Sequence, residues 1–184
     1  MTFDVVGFGA LNVDKLFKVN ILAKREEESF VTDFKISGGG SAANTIVGLS
    51  SLELRTGFVG KVASDTEGEF LLSELKKEGV DVNGITVTKT GRSGKVMGYI
   101  DPNGDRALYV DPGVNNQLEY ADINLNYFSD TKLVHLSSFV AEKSLDAQKR
   151  VINQLSDVKV SFDPGALYAR KGFAVVKPIL QRSY

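Results

Sequence analysis

Four short stretches carry residue types capable of binding or catalysis. The first is GFGALNVD, from Gly7 to Asp14, where an amide (Asn12) and a carboxylate (Asp14) stand two residues apart just past a β-branched run. In extended chain both side chains project to the same side and can hold adjacent hydroxyls. The same two residues equally fit a turn amide and a surface acid. The second stretch is GGGSAAN, from Gly38 to Asn44. Glycines ahead of a helix let backbone N–H groups approach an oxygen-rich ligand, whether phosphate or sugar hydroxyl, and they also suit a plain turn with a helix cap. Asn44, a poor helix former with a polar tip, stands in the first helical turn of that reading. The third and fourth are HLSS, His135 to Ser138, and SFDPG around Asp163, both at carboxyl ends of strand-like runs, where ligands collect in open α/β sheets.

Several chemistries are set aside at this level. GFGALN has Asn12 where a dinucleotide fingerprint needs its third glycine, and no helix signal follows to receive a pyrophosphate. GGGSAAN lacks the lysine and hydroxyl of a P-loop. His135 is the single histidine, and in an alternating strand it reads as a packed or surface residue rather than a base. No Ser, His and Asp set or metal cluster is evident. Asp163 reads equally as a turn acid and as a residue facing the site.

The elements that must position these residues alternate. Phe3 to Gly9 reads as a buried strand. Val13 to Ile21 and SFVTDFKI, in which Phe30, Thr32, Phe34 and Ile36 share a face, form a hairpin whose KREEE tip, Lys24 to Glu28, is solvated. A glycine loop, a helix and a strand follow from Gly38. Ser64 to Gly79 reads as a helix with a Ser64/Glu67 capping box, a Phe70, Leu71, Leu75 face and Gly79 as its terminator. KVMGYI and RALYV, joined by DPNGD, form a second hairpin. LVHLSSF (strand), EKSLDAQKRVINQLSD (helix), VKVSFD (strand) and a DPG turn come next. Arg170 to Tyr184 reads as helical, with Pro178 in its first turn or at a kink. This order implies a parallel sheet covered by helices on both faces, with the two hairpins pairing into a small antiparallel lid over the strand ends.

Composition bounds the rest. The 184 residues carry 22 basic and 23 acidic side chains, with 42% hydrophobic and 24% charged residues, which suits one globular unit. A formal charge of −1 leaves no electrostatic footprint for nucleic acid or an acidic membrane. The absence of cysteine excludes disulfides and thiolate chemistry and fits the cytoplasm. No apolar run reaches bilayer-spanning length, and the first residues lack a secretion signal.

In order along the chain, these residues resemble the amino-terminal part of the ribokinase-like (PfkB) family of carbohydrate and nucleoside kinases. The resemblance rests on the opening strand with Gly9, Asn12 and Asp14, the first hairpin, GGGSAAN, TGFVGKVASDTEG, the second hairpin with PNGDR, and PGVN at Pro112 to Asn115. It implies a three-layer α/β core (1–13, 38–92 and 113–184) with a β-lid or dimer clasp (14–37 and 93–112). By the resemblance, Asn12, Asp14, Gly39, Gly40 and Asn44 bind the acceptor's hydroxyls, and Ser137 falls at a further polar acceptor-binding position. Tyr99 and Tyr109 of the second hairpin stack on a sugar or base, or pack the lid's own core or a dimer interface, according to register.

The implied reaction is transfer of the γ-phosphoryl of ATP, with Mg²⁺, to a hydroxymethyl group of a small-molecule sugar or nucleoside. Ribose, fructose, ketodeoxy sugars and nucleosides all satisfy this residue set. The family's D-T-x-G-A-G-D segment, which holds the anion hole and the catalytic aspartate, does not occur in the sequence, and no N-x-x-E segment follows Asp163. The expectation is therefore that the carboxyl-terminal part of the fold is missing, no catalytic residue is present, and the chain alone is inactive. Two rival readings are a non-catalytic sugar-binding or dimerising module and an NAD-dependent oxidoreductase built on GFGALN.

Overall fold

The computed structural model describes residues 2–184. In chain order its elements are β1 (Phe3–Phe8), β2 (Asn12–Val19), β3 (Val31–Gly39), α1 (Ser41–Ser51), β4 (Thr56–Ala63), α2 (Thr66–Lys77) and β5 (Ile85–Thr88). There follow β6 (Gly94–Ile100), β7 (Arg106–Asp111), β8 (Thr131–Ser137), α3 (Glu142–Gln154), β9 (Lys159–Asp163), α4 (Gly165–Arg170) and α5 (Phe173–Leu180). Three short 3₁₀ turns bridge β7 and β8.

Five strands form a parallel sheet in the order β5-β4-β1-β8-β9. All eight residues of β4 are buried, as expected of a parallel strand covered on both faces. One face carries Ala42, Ile46, Leu71 and Leu75 of α1 and α2 against Val5, Phe58 and Val62. The other carries Leu145, Val151 and Ile152 of α3, with Tyr168 and Ile179 from α4 and α5, against Phe8, Val59 and Val134. Full burial of each aromatic or aliphatic side chain contributes about 1.5–3 kcal/mol, so these two layers dominate the stability. Lys61, at the buried end of β4, is neutralised by Asp122 at 2.8 Å.

The two hairpins make a second sheet in the order β3-β2-β6-β7. Each hairpin is antiparallel within itself, but they join through a parallel pairing of β2 with β6, so the lid is mixed at its centre. That follows from connectivity: both strands leave the same end of the core sheet. The Lys24 to Glu28 tip is exposed throughout.

Some local expectations change. The amino-terminal cap of α2 is Asp65, whose carboxylate accepts from Gly68 N–H at 2.8 Å, and not Ser64. Asp65 is fixed there because Ser93 also donates to it through its N–H and hydroxyl. Glu67 is free of capping and binds Lys15 and Lys95 instead. The segment after Asp163 forms α4 where only a turn was expected, and Gly172, at φ 90°, separates it from α5. Pro178 lies inside α5, not in its first turn. The carbonyl it leaves unpaired belongs to exposed Ala174, so water can satisfy it.

Candidate active site

Asn12 and Asp14 open β2 as alternate residues, so both project from one face of the lid. On that face Gly39 lies opposite Asn12, Ser37 opposite Asp14, and Val96 beside Asp14 on β6. The face looks down on the carboxyl ends of β1 and β8. Between them is a cavity of about 170 Å³ lined by Asn12, Gly40, Ser41, Val96, Asn115 and Ser137, among others. Polar groups thus come from both lid and core, with the valines of the lid walling one side.

The Gly38–Gly40 segment is not the loop expected from sequence. Gly38 and Gly39 complete β3, and Gly40 alone makes the turn into α1. Gly40 has φ 116°, a backbone conformation that side-chain-bearing residues rarely adopt, and it leaves the first N–H groups of α1 beside the cavity. Gly39 is required for a different reason: a Cβ there would collide with the Asp14 carboxylate. Asp14 is half-buried, and no other described residue donates a hydrogen bond to its carboxylate, so burial pushes its pKa up. An acid held this way favours a ligand that donates to it.

The candidate residues other than Asp14, which lines neither, divide between two adjoining cavities. Asn12, Gly40 and Ser137 share the one just described. Gly39 and Asn44 line a neighbouring cavity of about 240 Å³, where Asn44 is exposed on α1. Ser137 is buried and its hydroxyl accepts from Ala42 N–H at 3.1 Å, so it caps α1 while keeping its own proton for another acceptor. Asp163 accepts from the Ser41 hydroxyl at 2.7 Å and from Gly165 N–H at 2.9 Å, which hold its carboxyl below the usual range. It therefore ties α1 to α4 at the cavity rim. His135 is buried, bonds Ser161 at 3.0 Å, and has its pKa lowered by burial. It belongs to the sheet interior.

Of the alternatives open to Tyr99 and Tyr109, the strand register favours packing within the lid over stacking on a ligand. Tyr99 is in register with Phe17 and Tyr109 with Met97, which puts both on the face opposite Asn12 and Asp14. There Phe17 stacks on Tyr99 at 5.3 Å, and Tyr99 meets Tyr109 edge-on at 6.1 Å. They border an apolar groove of about 510 Å³ on the outer face of the lid, away from the polar cavity.

One residue was quoted in the sequence pattern without being assigned a role. Asn115, 1% exposed, accepts from Leu11 N–H at 3.0 Å, donates to Leu11 C=O at 2.7 Å and donates to Asn12 Oδ1 at 3.2 Å. The asparagine that closes PGVN, Pro112 to Asn115, was the available signal.

The dinucleotide reading fails on connectivity, because β1 runs directly into β2 and no helix terminus follows the glycines. Among the described residues no group of three or more His, Cys, Asp or Glu side chains could hold a metal ion.

Fold and site together define an α/β protein whose β-lid closes a polar pocket over the ends of parallel strands. The chain belongs to the pfkB family of carbohydrate kinases, whose sequence profile matches residues 2–171. It is 39% identical over 140 residues to an uncharacterized sugar kinase of Archaeoglobus fulgidus, covering 74% of this chain and 55% of that protein. It is 31% identical over 161 residues to an ATP-dependent ribose-1-phosphate kinase of Halopiger xanaduensis, covering 88% and 54%. The crystal structure of an uncharacterized sugar kinase from Pyrococcus horikoshii in complex with ATP superimposes with a TM-score of 0.79 at 24% identity, covering 95% of this chain and 58% of that one. The chain spans about half the length of the curated relatives it matches.

Proposed function

We propose that these residues form the acceptor-binding part of a kinase that moves the γ-phosphoryl of ATP, with Mg²⁺, to a hydroxymethyl group of a sugar or nucleoside. The observation that carries this reading is the pairing of Asn12 and Asp14 on the cavity face of the lid, with the Asp14 carboxylate unpaired and half-buried. Such a pair suits neighbouring hydroxyls, one accepting and one donating. Gly39, Gly40, Asn44 and Ser137 complete the proposed acceptor set. Positioning is a large part of catalysis in phosphoryl transfer, and it is what these residues can supply. The ATP named for one relative and bound in one structural neighbour supports the choice of donor.

The family segments associated with the anion hole and catalytic aspartate do not occur in the sequence, so we propose that the 184 residues bind acceptor without transferring phosphate. The outer lid face, with Phe17, Phe34, Tyr99 and Tyr109, is proposed as a self-association surface, and the setting as cytoplasmic.

The test is a panel of D-ribose, D-fructose, a ketodeoxy sugar acid, ribose 1-phosphate and adenosine, read by titration calorimetry and by ATP-dependent ADP release. Binding of a panel member, lost in Asp14→Ala, supports the reading. Release of ADP coupled to a phosphorylated acceptor by the 184 residues alone would overturn the inactivity proposal, and binding indifferent to Asp14→Ala would overturn the site.

A further inference from the structure

We infer that Asn115 is a positioning residue that fixes the amide of Asn12 with its NH₂ group turned to the acceptor. The inference rests on the acceptor-binding reading for its consequence, though not for its geometry. An asparagine side chain is nearly symmetric in shape, so its orientation follows from its partners. Here the partners are backbone groups, which have no such ambiguity. Leu11 N–H can only donate, so the atom of Asn115 at 3.0 Å from it is Oδ1. Leu11 C=O can only accept, so the atom at 2.7 Å is Nδ2. The second Nδ2 proton is then available for Asn12, and the atom of Asn12 that meets it at 3.2 Å is Oδ1.

The polarity of one peptide unit is thus passed through Asn115 to Asn12. Asn12 Oδ1 is occupied, and no described residue accepts from Asn12 Nδ2, so its two protons remain for the cavity that both asparagines line. Asn115 cannot easily turn. It is 1% exposed, and its carbonyl accepts from the buried Ser144 hydroxyl at 3.0 Å, which anchors its backbone to α3. The site is thereby set as a donor at Asn12 next to an acceptor at Asp14, and the reverse arrangement is closed to it. A ligand must present an oxygen that accepts at the first position and a hydroxyl that donates at the second.

The discriminating variant is Asn115→Asp. Its carboxyl still accepts from Leu11 N–H and has no proton for Asn12, whether it is ionised or spends its one proton on Leu11 C=O, so it should draw the Asn12 NH₂ group to itself and turn Asn12 Oδ1 to the cavity. In ¹⁵N-edited spectra of the unliganded protein, we expect both wild-type Asn115 side-chain protons to be shifted downfield and slow to exchange, and neither Asn12 proton to be so. In N115D one Asn12 proton should become protected. Protected Asn12 protons in the wild type would overturn the inference, and that spectrum decides the matter even if N115D does not fold.

Binding of D-ribose, D-fructose and adenosine supplies the second readout. N115D and Asn12→Ala should each weaken whichever probe binds by about tenfold or more, and the double variant should be no weaker than either alone. Losses that multiply would overturn the inference while leaving the acceptor reading intact. Absence of binding by all three probes would count against the acceptor reading, and the spectra would still decide the orientation of Asn12.

Discussion

The carboxylate of Asp14 lies directly against the Cα of Gly39, its diagonal neighbour on the adjoining lid strand, in the space a side chain at position 39 would fill. Gly39→Ala should therefore move Asp14 rather than merely crowd the strand. Overpacking of this kind costs about 1–3 kcal/mol where nothing yields, but Asp14 has no hydrogen bond holding it and can swing aside. The expected outcome is a small loss of thermal stability with acceptor affinity reduced about tenfold or more. Calorimetric titration beside a melting curve checks it. Unchanged affinity in a folded variant would mean that the position of this carboxylate is irrelevant to binding.

Burial raises the Asp14 pKa above its ordinary value, and the sign of the stability effect follows. Below the ordinary pKa, 3.8, the carboxyl is protonated folded or unfolded and costs nothing. As pH rises, the unfolded chain ionises first and the folded state loses ground. Asp14→Asn should thus be more stable than the wild type at neutral pH, by up to about 2 °C in Tm, with the gap closing towards pH 3. Melting curves from pH 3 to 7 test this. A variant less stable at neutral pH would show that the ionised carboxylate has a favourable partner.

How much of this was legible beforehand depends on the distance over which each feature is set. The side-chain parity that puts Asn12 and Asp14 on one face is a property of two residues in an extended chain, and it reads directly from sequence. So do the helix face of Leu71 and Leu75, the turn at Gly104 and the terminator Gly79. The capping of α2 was misread because Ser64 and Asp65 are both good caps. The choice is made by Ser93, 28 residues away, which bonds Asp65. The facing of Tyr99 and Tyr109 was undetermined because alternation gives two faces without saying which looks inward; the pairing of β6 with β2 decides it. Asn115 reaches Leu11 across 104 residues, beyond any local pattern.

Glu67, in the first turn of α2, receives Lys95 at 2.9 Å and Lys15 at 3.2 Å on the same carboxylate oxygen. Those lysines come from β6 and β2, so one acid ties both central lid strands to the core. Lys95 foremost, with Lys15, holds the Glu67 carboxyl below its usual range. Its stabilising contribution is complete above the ordinary value of 4.5 and is lost as pH falls through the lower folded-state value. Glu67→Gln should loosen the lid by about 0.5–1 kcal/mol, these pairs being partly exposed. Hydrogen exchange should show faster amides in β2 and β6 with those of β4 and β8 unchanged, and the difference from wild type should vanish in acid. Equal acceleration throughout both sheets would mean the contact is part of the global fold instead of a lid tether.

Gln148 carries the largest predicted stability effect, because it joins three buried groups at once. Its Nε2 donates to the carbonyls of Phe8 and Ser137, each at 2.9 Å, and its Oε1 accepts from the Tyr168 hydroxyl at 3.0 Å. The two carbonyls end β1 and β8 where they enter the candidate site, so one fully buried side chain on α3 sets the spacing of both strands. Gln148→Met keeps the volume and leaves all three groups unpaired. At about 1–3 kcal/mol for each stranded group, with some relaxation, the loss should be several kcal/mol and about 10 °C in Tm. Tyr168→Phe removes only the hydroxyl and should cost about 1 kcal/mol. If the two variants melt alike, the strand carbonyls have found other donors, and Gln148 is packing rather than a polar brace.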